Sequence, residues 1–215
     1  MVMGVVLPDF VKNAHKDWNL HPQKEEVLYL DNPFHQSLLK GWKKHLLVDK
    51  IFHNSAFFQE QTAVLKQIII PATLNSPVKP FFLAHIALEL MLDHLLTVDG
   101  SISIGDFYTH LAEANSIHLQ SFLQKAELPD QAIFDKFIDG FISSRYLLSY
   151  QKIENITYAL NRICMRLWNN PFTEEQMRVL TANLLDYKTS IQENYKSIFV
   201  SIGSDLQDNP SLTTI

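Results

Sequence analysis

The chain alternates between long stretches in which apolar residues recur every three or four positions and short polar stretches that contain proline. The clearest repeat lies near the carboxyl end and runs through Met177, Leu180, Leu184, Tyr187, Ile191, Tyr195 and Ile198. Such spacing places these side chains on one face of an α-helix. Thr173 and Gln176 form the pattern of a capping box, so the sequence predicts that this helix begins just after Thr173.

Similar repeats predict helices in most of the remaining chain. Asn32 and Pro33 form a helix start, and Pro71 is expected to end that helix near Ile70. The other predicted helices cover residues 3–13, 80–97, 104–126, 130–146 and 149–168. These elements predict an all-α fold, a single-domain helical bundle of about six or seven helices over residues 1–203. A flexible C-terminal tail is expected over residues 204–215.

The composition is that of a globular helical protein. Of the 215 residues, 47% are apolar and only six are glycine, which is consistent with one domain that has a sizeable core. The 18 basic and 23 acidic residues leave a net charge of −5. This charge argues against a broad nucleic-acid-binding surface, so we expect no nucleic-acid partner.

Cysteine usage and the apolar runs indicate the compartment. Cys164 is the single cysteine, which excludes an internal disulfide and favours a reducing compartment. No early segment has the pattern of a secretory signal, and no apolar run reaches the roughly 20 residues that span a bilayer. The expected localisation is cytoplasmic, without a membrane partner, and the oligomeric state is not predicted.

Residues that can bind metal or move protons are concentrated in two short segments, 45–53 and 85–94. A step of four residues turns a helix by about 400°, so residues four apart share one face. Each segment therefore carries a stripe of titratable side chains among apolar residues. The stripes are His45, Asp49 and His53 in the first segment, and His85, Glu89 and Asp93, with His94 beside them, in the second.

Imidazole and carboxylate groups are suitable ligands for zinc, manganese or iron. Two stripes facing each other would hold one to three divalent ions, which can bridge a phosphate and activate a water. Asp9 follows an apolar run and adds a candidate ligand. The alternative is that each pair is an ordinary helical surface pair, worth about 0.2–0.5 kcal/mol.

Four further residues are candidates for substrate binding. Arg145 offers a planar fork of donors to a phosphate, and Tyr150 lies five residues later. Lys43 and Lys44 lie beside the first stripe and would supply a basic rim for an acidic partner. The alternative is that Tyr150 is a core residue and that Arg145 is a surface charge.

Three short patches, at residues 4–12, 45–49 and 88–96, together resemble the acyl-carrier-protein phosphodiesterase family. Residues 4–12, Gly-Val-Val-Leu-Pro-Asp-Phe-Val-Lys, are similar to its early Gly-x-Leu-x-x-Asp-Phe-Val-Arg/Lys motif. Residues 45–49, His-Leu-Leu-Val-Asp, are similar to its His-Arg-x-Ile-Asp. Residues 88–96, Leu-Glu-Leu-Met-Leu-Asp-His-Leu-Leu, are similar to its Leu-Asp-x-x-x-Asp-His-Phe-Leu. The resemblance implies a helical, metal-dependent enzyme that removes phosphopantetheine from a serine of acyl carrier protein.

Carried over position by position, the resemblance assigns to the site Asp9, His45, Asp49, Glu89, Asp93 and His94. His53 stands where the family has a carboxylate, Glu89 replaces an aspartate, and His85 has no counterpart. The family's early Asn-Phe-Leu-Ala-His segment also has no counterpart in this chain. The alternatives are that the native start lies upstream of Met1 or that one ligand is missing.

A second resemblance exists at the level of pattern. The His-x3-Asp and His-x3-Glu pairs are similar to the ligand set of zinc-dependent phospholipase C, which would favour His53, His85 and Glu89 as ligands. HD-type phosphohydrolases are a third helical comparison, although their His-Asp dipeptide is reversed here.

Taken together, these features predict a metal-dependent phosphodiester hydrolase with acyl carrier protein as a candidate substrate. The expected metal ligands are Asp9, His45, Asp49, His85 and Glu89. Asp93, His94 and His53 are expected to be catalytic, and Arg145, Tyr150, Lys43 and Lys44 to bind substrate. The alternatives are a non-catalytic helical binding module that retains the phosphodiesterase fold and a metal-binding bundle that carries out oxygen or redox chemistry.

Overall fold

The computed structural model describes residues 2–114 and 116–208. The described residues form ten α-helices, which are α1 (Val2–Ala14), α2 (Pro33–Asn54), α3 (Ala56–Thr73), α4 (Pro80–Val98), α5 (Ile104–Ala114), α6 (Ile117–Lys125), α7 (Gln131–Ser144), α8 (Ile153–Cys164), α9 (Glu174–Ile191) and α10 (Ser197–Asp208). Short 3₁₀ helices cover Pro22–Lys24, Glu26–Tyr29 and Tyr146–Gln151. Because these residues contain no β-strand, the all-α prediction is confirmed, whereas the predicted number of helices is only roughly matched.

The higher helix count arises because three long predicted helices are each interrupted. The helix predicted from Pro33 to Ile70 breaks at Ser55, whose hydroxyl donates to the Phe52 carbonyl (2.6 Å) and accepts from the Phe58 amide (3.1 Å). This side chain ends α2 and caps α3. Pro71 lies within the last turn of α3 and does not end it. The other two breaks separate α5 from α6 and α9 from α10.

Three predicted helix starts, at Asn32, Asp130 and Thr173, are confirmed, whereas the helix predicted from residue 149 begins at Ile153. The side-chain Oδ1 of Asn32 accepts from the Phe34 amide (2.8 Å), and the side-chain Oδ1 of Asp130 accepts from the Ile133 amide (3.1 Å). Thr173 and Gln176 form the predicted capping box. Of the predicted tail, residues 204–208 are helical, and residues 209–215 lie outside the described residues.

The chain divides into two compact units, each built from separated segments. The first unit comprises Met1–Ile51, Ile104–Tyr146 and Ser204–Ile215, and the second comprises Phe52–Ser103 and Leu147–Gly203. One domain over residues 1–203 stays a prediction.

In the first unit, α1 meets α2 at a pair of glycines. A Cβ atom on Gly4 would lie 2.5 Å from the Leu38 carbonyl oxygen, and one on Gly41 would lie 2.7 Å from the Gly4 Cα. The two backbones are therefore in direct contact, which only glycine permits. Helix α1 also packs against α5 and α7, where the rings of Phe10 and Phe141 lie 4.7 Å apart.

The second unit is a closed four-helix arrangement. Helix α3 contacts α4 and α9, and α8 also contacts α4 and α9, so the four helices surround one core. Fully buried side chains at Leu65, Leu88, Leu160 and Leu184 show that each helix contributes to this core. Such burial is the main stabilising term for helices of this length.

Helix α4 is the most apolar element of the second unit. By length and composition alone it could cross a membrane, since its best 18-residue window has a mean hydropathy of 1.6. The core helix of a soluble protein passes the same test, and 44% of this window is buried inside the fold. Buried residues such as Leu83, Ala87 and Met91 share one side of α4, whereas His85 and Glu89 remain partly exposed.

We predict that Gly41→Ala destabilises the protein by about 2–4 kcal/mol, because the new methyl group would overlap the α1 backbone and force the helices apart. Chemical denaturation monitored by circular dichroism measures this loss. Gly140→Ala is the matched control, since nothing lies within 4 Å of its added Cβ. In the middle of α7 this second substitution should stabilise by about 0.5–1 kcal/mol. Equal effects of the two substitutions would contradict backbone contact at Gly41.

His35 is a buried polar residue in the first unit. Its ring lies edge-on to the rings of Tyr29 (6.2 Å) and Phe122 (6.0 Å), and within the described residues neither ring nitrogen has a hydrogen-bond partner. Burial, reinforced by the positive charge of Lys125, lowers the pKa of His35. The fold therefore favours the neutral imidazole.

A lowered pKa makes stability depend on pH in a defined direction. As pH falls below the ordinary value near 6.5, the unfolded chain takes up a proton that folded His35 resists, so the free energy of unfolding decreases. We expect His35→Leu to stabilise the protein by about 1 kcal/mol at neutral pH and to flatten this acid-side loss. Urea titrations at several pH values test both effects, with exposed His110→Asn as the control. An unchanged slope in His35→Leu would refute the assignment.

Candidate metal centre

Three predicted site residues come together in the second unit at the turn between α2 and α3. His53 lies in the last turn of α2, and His85 and Glu89 lie one helical turn apart on α4. The Ser55 cap ends α2 directly after His53 and begins α3, so this histidine lies at the junction of the two helices. Burial of the opposite side of α4 leaves His85 and Glu89 on its accessible side.

The ligand atoms of these residues form a nearly equilateral triangle. His53 Nε2 lies 3.2 Å from His85 Nε2 and 3.1 Å from Glu89 Oε1, and His85 Nε2 lies 3.2 Å from Glu89 Oε1. Within the described residues, this is the one group of three or more such side chains whose ligand atoms all lie within 4.8 Å of one another. The trio His53, His85 and Glu89 is called the metal triad below.

The donor set fits a divalent metal. Two imidazole nitrogens and one carboxylate oxygen meet at a single point, where unshared electron pairs would repel unless a proton or a cation lies between them. A tetrahedral ion with bonds of about 2.0–2.1 Å holds neighbouring ligand atoms about 3.3–3.4 Å apart, close to the distances in the triad. The three residues can therefore hold a metal ion without large rearrangement.

Aromatic rings form the wall of the metal triad. Phe58 is buried, and its ring lies edge-on to the rings of His53 (4.7 Å) and His85 (4.9 Å). Phe52 packs edge-on against His53 (5.1 Å), and the two imidazole rings stack at 4.8 Å. On the open side, the side chains of His53, His85 and Glu89 are 25%, 44% and 39% exposed. A small molecule can therefore reach the ligand atoms from solvent.

Asp9, His45 and Asp49 belong to the first unit, where α1 and α2 meet. The His45 Nδ1–H donates to the Val5 carbonyl (2.8 Å), and His45 Nε2 lies 3.8 Å from Asp9 Oδ1. Loss of hydration and the charge of Asp49 raise the pKa of Asp9, and His45 opposes the rise. Because this carboxylate is still 68% exposed, water limits the change. Because Nδ1 is bonded to the backbone, Nε2 is the atom with which His45 could bind a metal, and this role stays a prediction.

The two predicted catalytic residues that follow Glu89 have different environments. Asp93 is exposed one helical turn beyond Glu89. His94 is only 1% exposed, and its Nδ1–H donates to the Tyr150 carbonyl (2.7 Å). Burial lowers the pKa of His94, as does the charge of Lys188, while the bond to Tyr150 opposes the change. Asp93 is therefore accessible to solvent, whereas His94 is buried in the core.

The predicted substrate-binding residues are spread over both units. In the first unit, Lys43 pairs with Glu26 (2.6 Å), Lys44 is exposed, and the Arg145 guanidinium lies 5.5 Å from the centre of the Tyr108 ring. In the second unit, Tyr150 is buried with 6% exposure, as its alternative interpretation as a core residue expects. Their contribution to substrate binding stays a prediction.

Comparison with known proteins gave no relative: no family model, no curated protein and no solved structure matches this chain. The resemblance to acyl-carrier-protein phosphodiesterases therefore stays a prediction. The geometry of the site's own residues is the basis for its proposed chemistry.

Sequence reasoning missed the residues that support the site. Ser55 and Phe58 were assigned to the interior of one long helix, because the apolar repeat continues across the break. The Asn54-Ser55 pair, both good cap residues, was the available signal. The Val5 and Tyr150 carbonyls that orient His45 and His94 are backbone groups, which no residue pattern reveals.

We predict that His85→Asn lowers the affinity for a divalent metal by at least about 100-fold, since even indirect supports of a metal ligand contribute 10–100-fold. Equilibrium dialysis with elemental analysis of tag-free full-length protein measures this change. His110→Asn, on an exposed position of α5, should bind as wild type. His45→Asn distinguishes between the two predicted groups of ligands. If the triad is the main site, this variant should still bind the metal tightly. Full retention of metal affinity in His85→Asn would exclude the triad as the main metal site.

Proposed function

We propose that this protein is a divalent-metal-dependent phosphodiester hydrolase whose ion is held by the metal triad. The observation that carries the proposal is the mutual approach of His53 Nε2, His85 Nε2 and Glu89 Oε1 within 3.2 Å on a partly exposed surface. A divalent ion held by these residues would lower the pKa of a bound water and neutralise charge on phosphoryl oxygens. The proposed ion is zinc, manganese or iron. The proposed total is one to three ions, counting any ion held by Asp9, His45 and Asp49.

The chain's own residues supply position and proton transfer. Phe58 and Phe52 hold the imidazole rings in place and exclude water from one side of the triad. Asp93, exposed and on the same helix as Glu89, is the general base that takes a proton from the attacking water. His94 is assigned a positioning role, because its bond to the Tyr150 carbonyl anchors α4 behind the site.

Phosphopantetheinylated acyl carrier protein is the finer proposal for the substrate. It is supported by the three short sequence patches described above and by the exposed Lys44, which offers a positive charge to an acidic carrier. Lys43 is already paired with Glu26 and would have to exchange this partner to contribute.

The proposal is tested by hydrolysis of bis(4-nitrophenyl) phosphate and of phosphopantetheinylated acyl carrier protein by metal-loaded full-length protein. Asp93→Asn should keep its metal and lose about 10²–10⁴-fold in kcat, the typical contribution of a general base. Glu89→Gln should lose both metal and activity, and Glu154→Gln, an exposed glutamate on α8, is the control that should lose neither. Metal-loaded protein that hydrolyses no phosphodiester would favour the non-catalytic binding module.

A further inference from the structure

The donor atoms of the metal triad favour a particular class of ion. Magnesium and calcium prefer sites made of oxygen atoms, whereas two of the three atoms here are imidazole nitrogens. Among first-row divalent ions, a site of nitrogen and oxygen donors binds zinc more tightly than iron or manganese. The donor atoms of the triad should therefore bind zinc more tightly than manganese or iron.

The shape of the metal triad favours a low coordination number. Its three ligand atoms are 3.1–3.2 Å apart, which is close to the roughly 3.3 Å between ligand atoms of a tetrahedral zinc ion with bonds of about 2.0 Å. Phe58 lies against both imidazole rings and Phe52 against that of His53, so protein side chains close part of the surroundings. A six-coordinate ion would need three more ligands in this limited space, whereas a four-coordinate ion needs one.

We propose that the metal triad is a mononuclear zinc site with four-coordinate geometry and one position open to solvent or substrate. The inference rests on the proposed function for the location of the metal but not on hydrolysis itself. Two imidazoles, one carboxylate and one exchangeable position form a ligand set suited to catalysis, because structural zinc sites have four protein ligands. The ion would also link the end of α2 to α4 within the second unit.

The experiment uses full-length protein stripped with a chelator and checked for native circular dichroism. Cobalt(II) is then added as a spectroscopic substitute for zinc. We expect one equivalent to give the intense visible absorption of four-coordinate cobalt, and one equivalent of zinc to remove it in the presence of about tenfold excess manganese. Zinc should also raise Tm, because it binds only the folded triad.

Two variants and one control test whether the cobalt absorption and the rise in Tm depend on the triad. His85→Asn and Glu89→Gln should each lose the cobalt absorption and the zinc-dependent rise in Tm, and His110→Asn should keep both. Testing both ligand variants guards against misfolding of either one, which circular dichroism would reveal.

The failure of this inference is distinguishable from failure of the proposed function. Weak absorption typical of six-coordinate cobalt, or tighter binding of manganese than of zinc, would overturn the zinc assignment even if the protein hydrolyses phosphodiesters. Intense cobalt absorption that depends on His85, in a protein without hydrolytic activity, would sustain the zinc site and remove the hydrolase. Absence of any metal binding would overturn both.

Discussion

Burial of the apolar side of α4 is the interaction on which the second unit depends. This helix contacts both α3 and α8, and its buried leucines, alanines and methionine form the middle of the four-helix core. Once that side is buried, the opposite side is determined by the helical period, so His85 and Glu89 are presented together without any local device. The packing of α4 therefore also determines the geometry of the site. A rotation of α4 that changed its buried side would move His85 and Glu89 as well.

A second constraint acts on His53, and it is local. Ser55 stops α2 and starts α3, which brings Phe52 and Phe58 to the same place as the histidine between them. The site thus combines a rigid helix face with a tight turn, each stabilised independently. Three polar groups held this close to one another need a proton or a cation between them, and a bound metal ion would supply that positive charge.

The sequence predicted the helical class, the helix starts at Asn32, Asp130 and Thr173, and the candidate residues of the triad. It did not predict the break at Ser55, because a repeat of apolar positions continues wherever both flanking helices bury a side. His53 shares its predicted stripe with His45 and Asp49, and the structure brings it to His85 and Glu89, which lie 32 and 36 residues away in the sequence. Partners distant in sequence depend on tertiary packing, which spacing alone does not specify.

The division of the chain has a consequence for its synthesis on the ribosome. Each unit needs segments from both halves of the sequence, because Ile104–Tyr146 completes the first unit and Leu147–Gly203 completes the second. The amino-terminal segment cannot fold as an independent domain while it emerges, and neither can Phe52–Ser103. Nascent chains are therefore expected to expose the apolar side of α4 until most of the protein has been made.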